Sequence, residues 1–129
     1  MLDADLPEFD AWTDEIEHGN GPIVQFGWGR KIPESVDWRK EENVVTPIKH
    51  QGTCGSCWGF TSAGVIEGSY AIKTGKKIEV SEQQFLDCVH GKGYRSDKCK
   101  GGYIHEAFDF AKSSYIGLRD YYPYSGKTD

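Results

Sequence analysis

The sequence predicts a mostly helical chain of the α+β class, on three observations. Helix signals fall in three segments, near 57–74, 81–88 and 103–113. Strand signals are few, confined to Val44, Val45 and Ile48 and to an extended Tyr121-Tyr122-Pro123-Tyr124. No internal repeat is visible, and 129 residues suit one domain, or one domain with a tail.

Residues 1–31 read as an acidic N-terminal tail. They hold seven acidic residues against Arg30 and Lys31, and glycines gather toward the end at Gly19, Gly21, Gly27 and Gly29. The net charge of −5 therefore lies in the tail, because residues 32–129 balance 13 acids with 13 bases. Such a tail reads as a solvated linker. A weak amphipathic helix over Asp5–Glu17 would use Leu6, Phe9, Trp12 and Ile16, with Pro7 tolerated only in its first turn. Ile32-Pro33 marks a boundary, since a residue before proline prefers extended geometry. An acidic balance without a basic stripe argues against a nucleic-acid surface. No run of about 18 apolar residues exists to span a membrane. Met1-Leu2-Asp3-Ala4-Asp5 has neither a basic n-region nor an apolar h-region, so no signal peptide is expected.

The first helix should run from Cys57 to Thr74. Trp58, Ser62, Val65, Ser69 and Ile72 share one face, with Phe60, Gly64 and Gly68 near another. Gly59, Ala63, Gly64 and Gly68 allow close backbone approach, and Gly75 is a natural C-terminal cap. Ser81-Glu82-Gln83-Gln84 matches a capping box and opens a short helix to about Cys88. His90–Lys100 is a polar loop. Tyr103–Ser113 forms the third helix, with Ile104, Ala107, Phe108 and Ala111 at i, i+3, i+4 and i+7, and Gly117 beyond it.

The chemistry concentrates in Gln51-Gly52-Thr53-Cys54-Gly55-Ser56-Cys57-Trp58. Cys57 opens the first helix. There the backbone N–H groups and the dipole favour the thiolate, which is the nucleophilic form. Gln51 offers a side-chain amide for a developing oxyanion. Four cysteines (Cys54, Cys57, Cys88 and Cys99) allow three full pairings, and spacing alone does not choose among disulfides, a metal site and a reactive thiol.

Cys54-Gly55-Ser56-Cys57-Trp58 resembles the signature of papain-like cysteine peptidases, the papain and cathepsin family. Other motifs follow in the family's order. Ile32-Pro33-Glu34-Ser35-Val36-Asp37-Trp38-Arg39 resembles the start of the mature chain, and Thr46–Gly52 the run into the oxyanion glutamine. Ser81–Cys88 resembles the second helix, Cys99-Lys100-Gly101-Gly102 the rim of the cleft, and Tyr121–Tyr124 the strand after it. The resemblance covers residues 32–129.

The resemblance implies roles residue by residue. Cys57 would be the nucleophile, and Gln51 the side-chain donor of an oxyanion hole completed by the Cys57 N–H. Cys54 and Cys99 would form a disulfide, worth roughly 3–4 kcal/mol for a loop of this size. Gly101 and Gly102 would bind a substrate peptide through their backbone. Tyr103 and Ile104 would line the main specificity pocket, and Gly55 and Trp58 would flank the first subsite. No cofactor and no metal are implied. A peptide or protein is the expected substrate, in a lysosomal or secreted setting.

Three departures accompany the resemblance. The family's histidine lies about 130–150 residues beyond the cysteine, and 72 residues follow Cys57. His18, His50, His90 and His105 therefore read as bystanders, and the His- and Asn-bearing portion is expected from a complementary region or chain. Cys88 resembles a cysteine whose partner follows Tyr-Pro-Tyr, and none does here, which reads as truncation. The chain then represents most of the helical left domain without the β-rich right domain. Gly59 stands where the family usually has alanine. Residues 1–31 hold the position of a prosegment remnant. Alternatives are a non-catalytic homologue acting as a decoy or regulatory partner, a zinc module built on Cys54, Cys57, Cys88, Cys99 and His90, and a thioredoxin-like redox motif, for which no βαβ pattern precedes Cys54.

Overall fold

The computed structural model describes residues 33–128. The acidic tail, its candidate helix, His18 and Ile32 lie outside the described residues. The chain divides between Ser35 and Val36, and the account below concerns the second unit. Three helices dominate it: α1 (Cys57–Thr74), α2 (Glu82–Cys88) and α3 (Ile104–Ser113). Two single turns of 3₁₀ helix, Trp38–Lys40 and Lys98–Lys100, sit in the connections. Among the described residues there is no extended strand, only isolated bridges at Val80–Leu118 and Gly91–Tyr94.

The boundaries of α1 have local causes. Gly75 takes the left-handed conformation (φ 69°) and its N–H caps the Ala71 carbonyl. The buried face differs from the one periodicity selects. Val65 and Ile72 stay half exposed, at 50% and 51%. Trp58, Gly59, Ser62, Ala63, Glu67 and Ala71 go inside instead. The stripe at 59, 63, 67 and 71 is small or polar, so hydrophobicity does not reveal it. Its purpose is close approach: a Cβ on Gly59 would lie 3.2 Å from Leu86 Cδ1. The absent alanine methyl lets α2 pack tightly on α1.

Only the hydroxyl half of the capping box forms. Ser81 Oγ accepts the Gln84 N–H at 3.0 Å. The Gln84 side chain turns outward, accepting from Gly117 N at 2.7 Å and donating to the Tyr115 carbonyl at 2.8 Å. The Ser81 N–H donates to the Gly117 carbonyl at 2.9 Å. Gly117 therefore ends no helix; α3 stops at Ser113, and Gly117 joins the start of α2 to the C-terminal segment. The core gathers Trp58, Ala63, Val80, Phe85, Leu86, Val89 and Ala107, with Phe110 and Ala111 packed against it. On α3 the inward face is thus Ala107, Phe110 and Ala111, while Ile104 is 40% exposed.

The strand expected at Val44–Ile48 does not form: Val45 and Ile48 point outward, and the segment is irregular. Tyr121 and Tyr122 belong to a turn whose N–H groups both reach the Leu118 carbonyl, at 3.1 Å each. The 46–49 segment is anchored by charge. Lys49 Nζ lies 2.6 Å from Glu67 Oε1 and 2.7 Å from Glu82 Oε1. Both carboxylates are buried. Glu67 also accepts from Thr46 Oγ1 at 2.8 Å and Val80 N at 2.9 Å. Neither Glu82 oxygen has a well-aligned hydrogen bond. Lys49 and Arg119, whose Nε is 3.5 Å from Oε2, hold it by charge.

One ammonium thus serves two buried carboxylates. Replacing Lys49 by Leu should cost about 3–5 kcal/mol, because uncompensated buried charge is left behind. Denaturant unfolding followed by circular dichroism measures this. The exposed Arg39–Asp37 pair provides the contrast: R39A should leave the midpoint unchanged.

Candidate active site

The site is built on the sharp entry into α1. Gly52 adopts φ 68°, in the left-handed region that glycine enters without steric cost. The chain then doubles back, and Gly55 passes against the Cys99 backbone. Its N–H donates to the Cys99 carbonyl at 2.8 Å. A Cβ on Gly55 would stand 2.4 Å from that oxygen, so no larger residue fits. Beside it the Cys54–Cys99 disulfide closes, with Cα atoms 4.7 Å apart. The bridge joins the entry loop of α1 to the segment before α3 across 45 residues.

Cys57 is the first residue of α1, free and exposed. Ser56 holds the N-cap position, yet its side chain makes no capping bond. Its carbonyl accepts from Gly59 N at 2.9 Å and Phe60 N at 3.2 Å. Among the described residues nothing accepts the N–H of Cys57 or of Trp58. Two backbone donors therefore stand open beside the thiol.

Gln51 lies in the same loop. Its Nε2 donates to the Cys54 carbonyl at 2.9 Å, which fixes the carboxamide and leaves one N–H uncommitted. Its backbone carbonyl accepts from the Tyr124 hydroxyl at 2.6 Å. That hydroxyl also lies 2.7 Å from Ser56 Oγ. The oxyanion-donor candidate and the residue before the nucleophile candidate thus meet at one phenol.

Gly101 and Gly102 form the adjoining edge. Gly101 is at φ 117°, and its carbonyl accepts the Asp97 N–H at 2.9 Å. Gly102 lies flat on the Trp58 indole, where a Cβ would come within 2.5 Å of two ring carbons. Trp58 itself is only 2% exposed and donates from Nε1 to the Lys98 carbonyl at 3.1 Å. It supports the edge from beneath. Tyr103 and Ile104 are partly exposed. Tyr103 lies under the Arg95 guanidinium, 4.5 Å from the ring centre.

Several organising residues carried no sequence signal. Buried Glu106 accepts from Arg95 N at 2.9 Å, Ser96 N at 2.8 Å and Ser96 Oγ at 2.5 Å. Burial alone would raise its carboxyl; the Ser96 hydroxyl and the two backbone bonds outweigh that and hold it below the ordinary value. Ser96 Oγ in turn accepts the Tyr103 N–H at 3.0 Å. A carboxylate in α3 thereby shapes the loop that carries Gly102. Gln83 is buried too; its Oε1 accepts from Ser125 N at 3.0 Å and Gly126 N at 3.2 Å.

The described histidines point elsewhere. His50 Nδ1 accepts from Gly52 N at 3.0 Å, and His90 Nε2 pairs with the Asp87 carbonyl at 2.8 Å. His105 Nε2 lies 3.4 Å from Arg95. The disulfide consumes two of the thiols a zinc module would need. The described residues hold no cluster of three or more metal-ligating side chains. A concavity of about 510 Å³ is lined by Gln83, Asp87, Tyr122 and Lys127 among others, and not by Cys57. At its mouth the Tyr122 hydroxyl donates to Asp87 at 2.7 Å. That bond pushes the phenol up to about 12. No described helix is long and apolar enough to cross a membrane.

Residues 32–129 match the family model described as papain family cysteine protease. The chain belongs to the papain family of cysteine proteases. It is 48% identical over 96 residues to caricain of Carica papaya, covering 74% of this chain and 26% of that protein. It is 44% identical over 112 residues to procathepsin L of Mus musculus, covering 86% of this chain and 33% of that protein. The crystal structure of the Carica candamarcensis cysteine protease CMS1MS2 in complex with E-64 superposes with a TM-score of 0.67 at 46% identity. That match covers 74% of this chain and 42% of that one. The chain thus spans about a quarter to a third of the curated relatives' length. Within the family fold it supplies the helical left domain.

Two glycines give a test of the packing. G102A should cost about 1–3 kcal/mol through overpacking against the indole. G64A, on an exposed turn of α1 with nothing within 4 Å of its Cβ position, should stabilise by about 0.5–1 kcal/mol. Thermal unfolding of the two variants should bracket the parent chain.

Proposed function

We propose that this chain carries the nucleophile and the oxyanion donors of a cysteine-type peptidase. The observation that carries the reading is the free, exposed Cys57 at the start of α1, beside backbone N–H groups that nothing accepts. Relatives of matching sequence are named as cysteine proteases, and one binds E-64.

The chemistry follows from the donors. The Cys57 thiolate adds to the scissile carbonyl carbon, forming a C–S bond and moving an electron pair onto oxygen. The Cys57 N–H and the uncommitted Gln51 N–H stabilise that oxyanion. Its collapse breaks the C–N bond, and the departing amine takes a proton from a general acid. Water then attacks the thioester, releasing a carboxylic acid and the thiol. Gly101 and Gly102 would hold the substrate backbone, with Tyr103, Ile104 and Gly55 beside it and Trp58 beneath. A histidine as general acid and an orienting asparagine would come from a complementary region or chain, since the described histidines are committed elsewhere.

The disulfide supports an oxidising setting, lysosomal or secreted. The procathepsin L match takes in 86% of this chain, against 74% for caricain. Residues 32–129 are about three-quarters of the chain, so that match reaches into 1–31 and supports a prosegment remnant there. The competing reading is a non-catalytic homologue acting as a decoy or regulatory partner.

Iodoacetamide at pH 6 separates the two. Burial, and then the Asp87 charge, push the Cys88 thiol up, so its thiolate is scarce at pH 6. Cys57 should alkylate at least tenfold faster; equal rates favour the non-catalytic reading. The 129 residues alone should show little or no hydrolysis of a fluorogenic dipeptide amide. Robust turnover would overturn the assignment of the general acid to a complementary part.

A further inference from the structure

We infer that Ser96 and Glu106 are positioning residues for this site, turning the N–H and the C=O of Gly102 outward as a pair for a substrate main chain. The inference rests on the reading of the Gly101–Gly102 edge just given.

Gly102 is flanked by two anchored peptide groups. The Gly101 carbonyl accepts the Asp97 N–H at 2.9 Å. The Tyr103 N–H donates to Ser96 Oγ at 3.0 Å. In a trans peptide the N–H and C=O of one plane point in opposite directions, and none of the described peptides is cis. The Gly102 N–H shares its plane with the Gly101 carbonyl, and the Gly102 carbonyl shares its plane with the Tyr103 N–H. Both Gly102 groups are therefore turned away from the 96–97 corner. Among the described residues neither makes a hydrogen bond. One residue with its donor and its acceptor both open can exchange two bonds with a single residue of an antiparallel peptide.

The anchor on the Tyr103 side depends on Glu106. That residue is buried, and its carboxyl is held below the ordinary value, so at neutral pH its oxygens only accept. The Ser96 hydroxyl therefore donates to Glu106 Oε2 at 2.5 Å, which leaves its lone pairs for the Tyr103 N–H. The same carboxylate takes the N–H groups of Arg95 and Ser96, at 2.9 and 2.8 Å, and so fixes the corner from which the hydroxyl reaches. The Arg95 guanidinium is the cation facing it, with Nε 3.5 Å from Oε1. Ser96 is buried as well, and its Oγ would stand 2.9 Å from a Cβ on Gly102. Hydroxyl and edge are in contact.

The edge lies close to the nucleophile candidate, because Gly102 rests on the indole of Trp58, the residue after Cys57. The disulfide, the Gly55 N–H and the Trp58 Nε1–H hold residues 98 and 99. The plane between Gly102 and Tyr103 is fixed by no hydrogen bond among the described residues except the one to Ser96.

The test uses the complete 129-residue chain as wild type, S96A and E106Q, with unfolding midpoints alongside. Three probes alkylate Cys57 at pH 7: iodoacetamide, a dipeptidyl chloromethyl ketone, and the same ketone with its backbone amides N-methylated. Wild type should take the unmethylated ketone about fivefold faster than the methylated one, the equivalent of one hydrogen bond. S96A and E106Q should each bring that ratio below about twofold. The iodoacetamide rate, which senses the thiol alone, should stay at the wild-type value in both. S96A keeps Glu106 and its two main-chain bonds, so it decides the matter even if E106Q fails to fold. A merely structural pair lowers the midpoint and leaves the ratio unchanged. An unchanged ratio in S96A, or an iodoacetamide rate that falls with the ketone rate, overturns the inference.

Amide hydrogen exchange of the unsubstituted chain is an independent check. The Tyr103 amide should be protected about tenfold more than the Gly102 amide. Equal exchange at the two amides also overturns the inference. If wild type does not distinguish the two ketones, the reading of the edge as a substrate site fails first, whatever Ser96 and Glu106 do.

Discussion

The structure depends on Glu67, a carboxylate buried in the middle of α1. It gathers Thr46, Lys49 and the Val80 N–H onto α1. Those three groups belong to the segment before the helix and the segment after it. A buried carboxylate without partners would be costly, so each partner is compelled to its place. Glu82 repeats the device from α2 and shares the same ammonium. Charge satisfaction, more than apolar area, sets where the entry loop of α1 lies. Gln51 is two residues past Lys49 and inherits that position.

Two further links finish the loop. The Cys54–Cys99 bridge and the Gly55 N–H draw the loop onto the 99–102 edge. The Tyr124 hydroxyl draws it onto the C-terminal segment. All three links are long in sequence, joining residues 18 to 73 apart. Each closes a loop whose entropy must be recovered from few contacts. Covalent and charged links suit that situation, because this chain has only a small apolar core.

These features decided what could be read from the sequence. The ends of α1 were legible because local chemistry writes them: a glycine cap at 75 and a turn-rich segment before 57. Ser81 was legible as a cap for the same reason. The inward face of α1 was not. Its stripe of Gly59, Ala63, Glu67 and Ala71 carries no hydrophobic signal, while Val65 and Ile72 imitate one on the outer side. Val44, Val45 and Ile48 imitated a strand, although the segment is held through Thr46 and Lys49. Cys57, Gln51 and the glycines stood out because they lie within short motifs. Ser96 and Glu106 did not, and although Gln83 and Tyr124 lay within such motifs their roles were hidden, because each acts through a bond to a distant segment. The full capping box failed for a related reason: Gly117, 33 residues away, takes the Gln84 side chain.

A helix that ends in unclaimed N–H groups sacrifices stability, and most serine N-caps avoid the loss. This chain has serine at the N-cap position, but its hydroxyl meets Tyr124 and makes no capping bond. An oxyanion site needs donors that are in place and empty before the substrate arrives, since donors first extracted from an internal bond give back what they contribute. Rigid, non-local bonds hold residues 46–57 in place, as they also hold the loops at 95–96, 115–117 and 125–126. The same loop contributes Cys54 to the core and leads directly into Trp58, so loosening any one of these links should disturb the site and the core packing together.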